Sequence, residues 1–299
     1  MALQIVAGIT LKSLEPRVWD ATSPYYLPHL RAVMISYADF HRQSAYRRRA
    51  MEQGIHASLG IPVTVRVYLD NGAFHFSSRG EEVAVAEYEE FVLAARPCWR
   101  PVPQDFIPVP RMTLRQQRQC LERTMTVNRA YRHDGYVPVI HVSRVLEEYV
   151  AEIKGHRRLC AKPSIALGGI VPNLLRAPKS LTHEKILEIL MKVRCDFAGK
   201  EIHVFGIGGI ATIHIAALLK MDSVDSSGWR NRAARGIIQL PGSSERTIAE
   251  LGSWRGRGLT DWELRKLRTC ECPACERGGI RGLKATGVEG FRNRKPPAW

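Results

Sequence analysis

The sequence predicts an α/β fold, a (β/α)8 TIM barrel with a small Cys-rich unit at its C-terminal end. Three observations lead there. Short apolar runs rich in β-branched residues recur eight times along 299 residues, amphipathic segments of helical period separate several of them, and the residues just after the runs are largely glycines and polar side chains. Runs that are almost continuously apolar suit parallel strands covered by helices on both faces. A doubly wound open sheet satisfies the same alternation and stands as the alternative.

The runs fall at residues 5–8, 32–37, 63–69, 106–109, 137–142, 164–167, 202–205 and 223–225. A helix predicted at 81–95 carries Val83, Val85, Tyr88, Phe91 and Val92. Helices at 113–131 and 143–157 follow the fourth and fifth runs, and one at 183–193 precedes the seventh. In such a barrel the chemistry lies at the C-terminal ends of the strands. Those ends carry Asp70-Asn71-Gly72, His141, Gly168-Gly169, the glycines Gly206, Gly208 and Gly209, and Asp225-Ser226-Ser227-Gly228. The Gly-rich stretches lack a GK[ST] ending and dinucleotide spacing, so they read as close approach of backbone to a ligand. From Cys270 onward the composition turns to Gly, Arg and Pro, which divides the chain into a catalytic barrel (1–265) and a Cys-rich unit with a basic tail (266–299).

Composition narrows the function. The chain is 45% hydrophobic and 24% charged, as an ordinary globular protein is. No run approaches the roughly 20 apolar residues of a membrane helix, and the N-terminus lacks the pattern of a secretory signal. A cytoplasmic protein with no membrane partner is expected. Lys and Arg number 44 against 29 acids, a net charge of +15 with a pI near 9.8. Such an excess suits a polyanion, because each neutralised phosphate releases counterions. Arginines cluster at Arg47, Arg48 and Arg49, at Arg230, Arg232 and Arg235, and from Arg255 through the tail. The first cluster reads as a solvated helix face, with a barrel-rim contact to phosphate as the alternative. Cys98, Cys120, Cys160 and Cys195 are scattered and read as buried apolar residues, whereas Cys270, Cys272 and Cys275 have the spacing of a metal site.

Two carboxylates, Asp70 and Asp225, end the third and eighth runs and are expected to meet at one mouth. Strand-end aspartates often only cap the next helix. A pair of them can instead break a glycosidic bond, one carboxylate meeting the positive charge at the anomeric carbon while the other handles protons on the departing base.

The surrounding residues carry a resemblance. Asp70-Asn71-Gly72-Ala73-Phe74 resembles the Asp-Ser-Gly-Gly-Phe signature of the tRNA-guanine transglycosylase superfamily, Met221-Asp222-Ser223-Val224-Asp225 resembles its nucleophile segment, and Cys270-x-Cys272-x-x-Cys275 has the spacing of its zinc site. Gly168-Gly169 falls where that family has a base-binding glycine loop. Pro103-Gln104-Asp105-Phe106, Pro138-Val139-Ile140-His141, His203-Val204-Phe205-Gly206, Asp225-Ser226-x-x-Trp229 and Ala234-Arg235 are similar to motifs of the branch that modifies DNA, the 7-deazaguanine DNA transglycosylases of phages and bacterial modification clusters. The resemblance runs from about Ser36 to Cys275.

What it implies is a ping-pong exchange of guanine in DNA for a free 7-deazaguanine base such as preQ0. Asp225 is the implied nucleophile and Asp70 the general acid/base. Phe74 offers a stacking face, Gly168 and Gly169 read the base edge, and Asn71, Asp105 and His141 complete the base site. Trp229, Arg230, Arg232 and Arg235 are placed along the DNA strand, with the base flipped out at a cost of about a few kcal/mol. A strand-opening ATPase or helicase partner and a homodimer both fit the resemblance.

The chain departs from the family in three places. Arg111 stands where the tRNA branch has a second base-gripping Asp, so either Asp105 takes that role or the base is read differently. His141 replaces a glutamine common to both branches. Zn2+ on Cys270, Cys272 and Cys275 needs a fourth ligand, which the family supplies as a later histidine; no histidine follows Cys275, and His203 and His214 are the nearest upstream. The competing readings are a tRNA-guanine transglycosylase, a catalytically silent nucleic-acid-binding subunit, and a barrel enzyme acting on a small phosphorylated substrate.

Overall fold

The computed structural model describes residues 2–131, 135–175, 177–240, 242–248, 256–272 and 275–276. It is an α/β structure built on seven parallel strands, β1 (Gln4–Gly8), β2 (Ala32–Ser36), β3 (Arg66–Asp70), β4 (Val139–His141), β5 (Ser164–Gly168), β6 (Glu201–Val204) and β7 (Ser223–Ser226). They lie in the order β3-β2-β1-β7-β6-β5-β4. The pairing of β1 with β7, Val6 opposite Asp225, joins the two ends of the chain's barrel-like segment. Val33, Ile35, Val67, Leu69, Ile165, Leu167, Ile202, Val204 and Val224 are all buried. Strands covered on both faces read as unbroken apolar runs, which is why the periodicity located them.

The sheet curls. Residues 99–101 touch both of its edges, Trp99 bridging Tyr68 of β3 and Pro101 bridging Val137 just before β4, each as a single parallel bridge. The expected strand at 106–109 does not form. Prolines at 103, 108 and 110 remove donors from any ladder there, and the Phe106 N–H goes to Thr124 Oγ1 at 2.9 Å. Seven strands with two bridges therefore replace the eight expected strands.

The helix Leu114–Ala130 shows how the exterior holds this region. Thr113 starts it with a capping box to Gln116. Its inner face buries Leu121 and Met125 together with a polar line of Gln117, Thr124 and Asn128. Asn128 brackets Val139 of β4, donating to its carbonyl at 2.8 Å and accepting its N–H at 3.0 Å. Side-chain amides and hydroxyls supply the partners that a missing ladder cannot.

After β7 come the helix Gly228–Ala234 and an antiparallel hairpin, β8 (Ile237–Leu240) with β9 (Ser244–Thr247). The hairpin was not predicted from sequence. Leu240 packs with Leu267 of the helix Asp261–Arg268 and with Cys275, and Ile238, Leu259, Cys270 and Cys272 lie against them. Arg246 of β9 pairs with Glu263 of that helix at 2.7 Å. The tail from 277 onward, and Arg255, lie outside the described residues. No described helix is long and apolar enough to cross a membrane.

Candidate active site

Because the strands are parallel, Asp70, His141, Gly168 and Asp225 all fall at C-terminal strand ends and share one rim. Asp70 Oδ2 accepts from Ser36 Oγ at 2.9 Å and from the Gly72 N–H at 3.1 Å. Burial pushes its carboxyl up to about 7, and the charges of Asp225 and Asp105 add to the rise against those two hydrogen bonds. The three carboxylates are thus close enough to feel one another. Asp70 does take part in a turn, as a capping aspartate would, but its environment also keeps a proton near neutral pH.

Asn71 and Asp105 form the floor beside it, both nearly fully buried. Asn71 Nδ2 donates to Asp105 Oδ1 at 2.7 Å and to the Val102 carbonyl at 2.9 Å, while its Oδ1 accepts the Ala73 N–H at 2.9 Å. Gly72 between them has φ +81°, and a Cβ there would stand 2.9 Å from Ala38 Cβ. Glycine is required for this turn. Asn71 is therefore a brace for Asp105 and for the loop. Phe74, one turn on, is 56% exposed, an apolar face left open at the rim.

His141 Nε2 lies 3.1 Å from Asp105 Oδ2, and the ring is wholly buried. A Cβ on Gly168 would sit 2.9 Å from His141 Nδ1, and one on Gly169, at φ +73°, would sit 3.3 Å from His141 Cβ. The two glycines make room for the histidine as well as for any ligand. The ring has no exposed surface, and the charged group it faces is Asp105.

Asp225 Oδ1 accepts the Gly206 N–H at 2.8 Å and lies 3.3 Å from His203 Nε2. His203 is a buried histidine inside the curled sheet, its Nδ1 2.8 Å from Ser223 Oγ. In the sequence His203 stands out only as part of the His-Val-Phe-Gly run and as a histidine upstream of the cysteine cluster. Its position on a strand two residues before Phe205, opposite Ser223, was the available signal, but strand partners are not written in a single sequence.

The residues expected along a DNA strand divide. Trp229 Nε1 donates to the Gly8 carbonyl at 3.1 Å, and Arg230 is buried, reaching the Ser13 carbonyl and lying over the Trp229 ring. Arg232 Nε pairs with Glu245 of β9 at 2.5 Å. Arg235 is exposed. Trp229 and Arg230 therefore join the rim to the N-terminal segment, and Arg232 joins it to the hairpin. Of the scattered cysteines, Cys98, Cys160 and Cys195 are exposed and Cys120 is half-buried, contrary to the expectation that all are buried.

The thiols of Cys270, Cys272 and Cys275 lie within 4.8 Å of one another, a spacing that fits three ligands of one tetrahedral ion. Burial and the two neighbouring thiols push the Cys275 thiol up to about 12. That crowding of thiols is what a cation relieves. Among the described residues no histidine joins the cluster; His203 lies beneath Asp225, and His214 is exposed on the helix Ile210–Leu218. Two hollows on the helical exterior, one at Arg47, Arg48 and Met51 and the other at Arg129, Glu152 and His156, involve none of the rim residues. Comparison with protein-family models and with curated proteins finds no match for this chain.

Proposed function

We propose that the protein is a DNA-guanine transglycosylase that exchanges guanine for a 7-deazaguanine base through an Asp225–sugar intermediate. The observation that carries this reading is the pairing of Asp70 and Asp225 at one rim in unlike environments. Asp225 is held by a backbone N–H and faces a histidine, as a carboxylate set to attack would be. Asp70 titrates near 7, which suits a group that gives and takes a proton around neutral pH. In the first half-reaction Asp225 attacks the anomeric carbon, the bond to guanine breaks, and Asp70 delivers a proton to the departing base. In the second a free 7-deazaguanine attacks the same carbon, Asp70 takes up its proton, and Asp225 is released.

The other rim residues fit parts of this chemistry. Phe74 offers a stacking face, Asp105 a carboxylate for the purine edge, and Gly168 and Gly169 a close approach of backbone. Arg235 and the net charge of +15 favour a polyanionic substrate. We read the curled sheet, with residues 99–101 in the eighth place, as a (β/α)8 barrel, which locates chemistry at this rim. We also assign Zn2+ to Cys270, Cys272 and Cys275, where it would neutralise thiolates and stiffen the β8–β9 unit. A strand-opening partner and a homodimer belong to the same reading.

The test is incorporation of radiolabelled guanine into duplex DNA, single-stranded DNA and unmodified tRNA, with Asp225→Asn as control. Label entering DNA only, and lost in Asp225→Asn, is the expected result. Label entering tRNA alone would keep the chemistry and move the substrate to tRNA. Label entering none of the three would remove the enzyme reading in favour of a silent binding subunit.

A further inference from the structure

β6 and β7 run parallel with His203 opposite Ser223, so His203, Ser223 and Asp225 present their side chains on one face of the sheet. The His203 ring is closed in by Trp99 and Phe205, each 4.8 Å away between centroids, and by Tyr68 at 5.6 Å. It is only 2% exposed, so it cannot turn away from its two polar neighbours. Nε2 is a buried nitrogen without an aligned hydrogen bond, 3.3 Å from the Asp225 carboxylate.

The two ends decide where the proton sits. With the proton on Nδ1, the Nε2 lone pair would face the lone pairs of a carboxylate oxygen at close range. With the proton on Nε2, the N–H faces Asp225 Oδ1 at 3.3 Å and Nδ1 accepts the Ser223 hydroxyl, so the contact at each end is attractive. Among the described residues, the contacts to the carboxylate, from Gly206 N–H and from His203, both fall on Oδ1. Oδ2 is the oxygen left for chemistry.

We propose that His203 is a positioning residue, donating Nε2–H to Asp225 Oδ1 so that Oδ2 is presented to the anomeric carbon; this rests on the transglycosylase reading. In the first half-reaction the Oδ2–C1′ bond forms as the C1′–N bond breaks, the electron pair passing to the base nitrogen, which is protonated. In the second, the incoming base nitrogen attacks C1′ and the Oδ2–C1′ pair returns to the carboxylate. The negative charge then spreads onto Oδ1, which accepts the Gly206 N–H and has His203 Nε2 3.3 Å away. A donor on Oδ1 therefore assists release of the sugar, beyond aligning the attack.

Two readouts on the full-length protein test this, one of them independent of activity. In the first, histidine 15N NMR reports the His203 tautomer, with His203→Phe providing the assignment. The expected result is the proton on Nε2, with the His203 signals lost in His203→Phe, which removes the donor but keeps a flat ring. A proton on Nδ1 would overturn it whatever the enzyme does. In the second, single-turnover formation and decay of the covalent adduct are followed with a guanine-containing single-stranded oligonucleotide. His203→Phe should slow both steps by about 100-fold with DNA affinity unchanged, and His203→Gln, which restores an N–H, should recover to within about tenfold of the native rates. Equal rates in native and His203→Phe protein would overturn the proposal. No adduct in the native protein would sink the transglycosylase reading and leave the NMR result to decide the His203–Asp225 bond.

Discussion

His141 Nε2 and Asp105 Oδ2 stand 3.1 Å apart in a place where neither side chain reaches solvent appreciably. Asp105 is held from the other side by Asn71 at 2.7 Å. A buried polar pair of this kind specifies geometry, and removing one partner strands the other. His141→Leu is expected to lower unfolding stability by about 3 kcal/mol, read from urea denaturation. Asp105→Asn added to His141→Leu should recover part of that loss, because an amide is cheaper to bury unpaired than a carboxylate. Additive losses in the double variant would mean that the two groups are not coupled.

Asp70 links the chemistry to pH. Its carboxyl titrates near 7 in the folded protein, against about 3.9 in an unfolded chain. The protonated form therefore favours folding. This contribution is complete below about pH 4 and is lost as pH rises through about 7. The full span is worth at most about 4 kcal/mol, and solvent at the rim reduces it to about 1–2 kcal/mol. Asp70→Asn removes the titration, so native stability relative to the variant should fall between about pH 4 and pH 7 and level off above it. A difference that stays constant over that range would place Asp70 in an ordinary solvated environment.

The parts legible in the sequence were those fixed by local pattern. Val33, Ile35, Leu167 and Val224 belong to apolar runs that only a buried parallel strand explains, and Asp70 and Asp225 stand out as carboxylates at the ends of such runs. What depended on distant partners was not legible. Residues 99–101 take the place expected of 106–109 because prolines deny the later segment a ladder, and Trp99 finds Tyr68 across the sheet. Arg230 looked like a surface cation, yet Ser13, more than two hundred residues earlier, offers it a carbonyl. His203 is matched in sequence by nothing that announces Asp225, because the pairing is made by the register of β6 on β7.

The cysteine cluster predicts a metal dependence with a definite sign. A Cys275 thiol pushed up to about 12 must lose its proton when a cation binds, so binding releases protons and tightens as pH rises. Native protein should carry one zinc per chain by elemental analysis. Cys275→Ser should lose most of the metal and loosen the β8–β9 hairpin, since Cys275 and Leu240 share a small core. Hydrogen exchange at Ile238 and Leu240 would report that loosening. Full zinc content in Cys275→Ser would remove this residue from the ligand set.

Gly206 offers a way to disturb Asp225 without touching a carboxylate or a histidine. Its φ is +74°, and a Cβ there would stand 2.3 Å from Val171 Cγ2. Gly206→Ala must therefore shift the loop after β6, at a cost of about 2 kcal/mol from the left-handed backbone and the crowding together. The shift carries away the N–H that Asp225 Oδ1 accepts. Adduct formation should slow by about 100-fold while DNA binding is kept, because Phe74 and Arg235, the residues proposed to meet base and strand, lie on other segments. Pairing Gly206→Ala with Val171→Ala separates the two effects: relieving the crowding should restore stability, and should restore the adduct rate only if the N–H returns to Asp225. Native adduct rates in Gly206→Ala alone would show that this N–H is not part of the machinery.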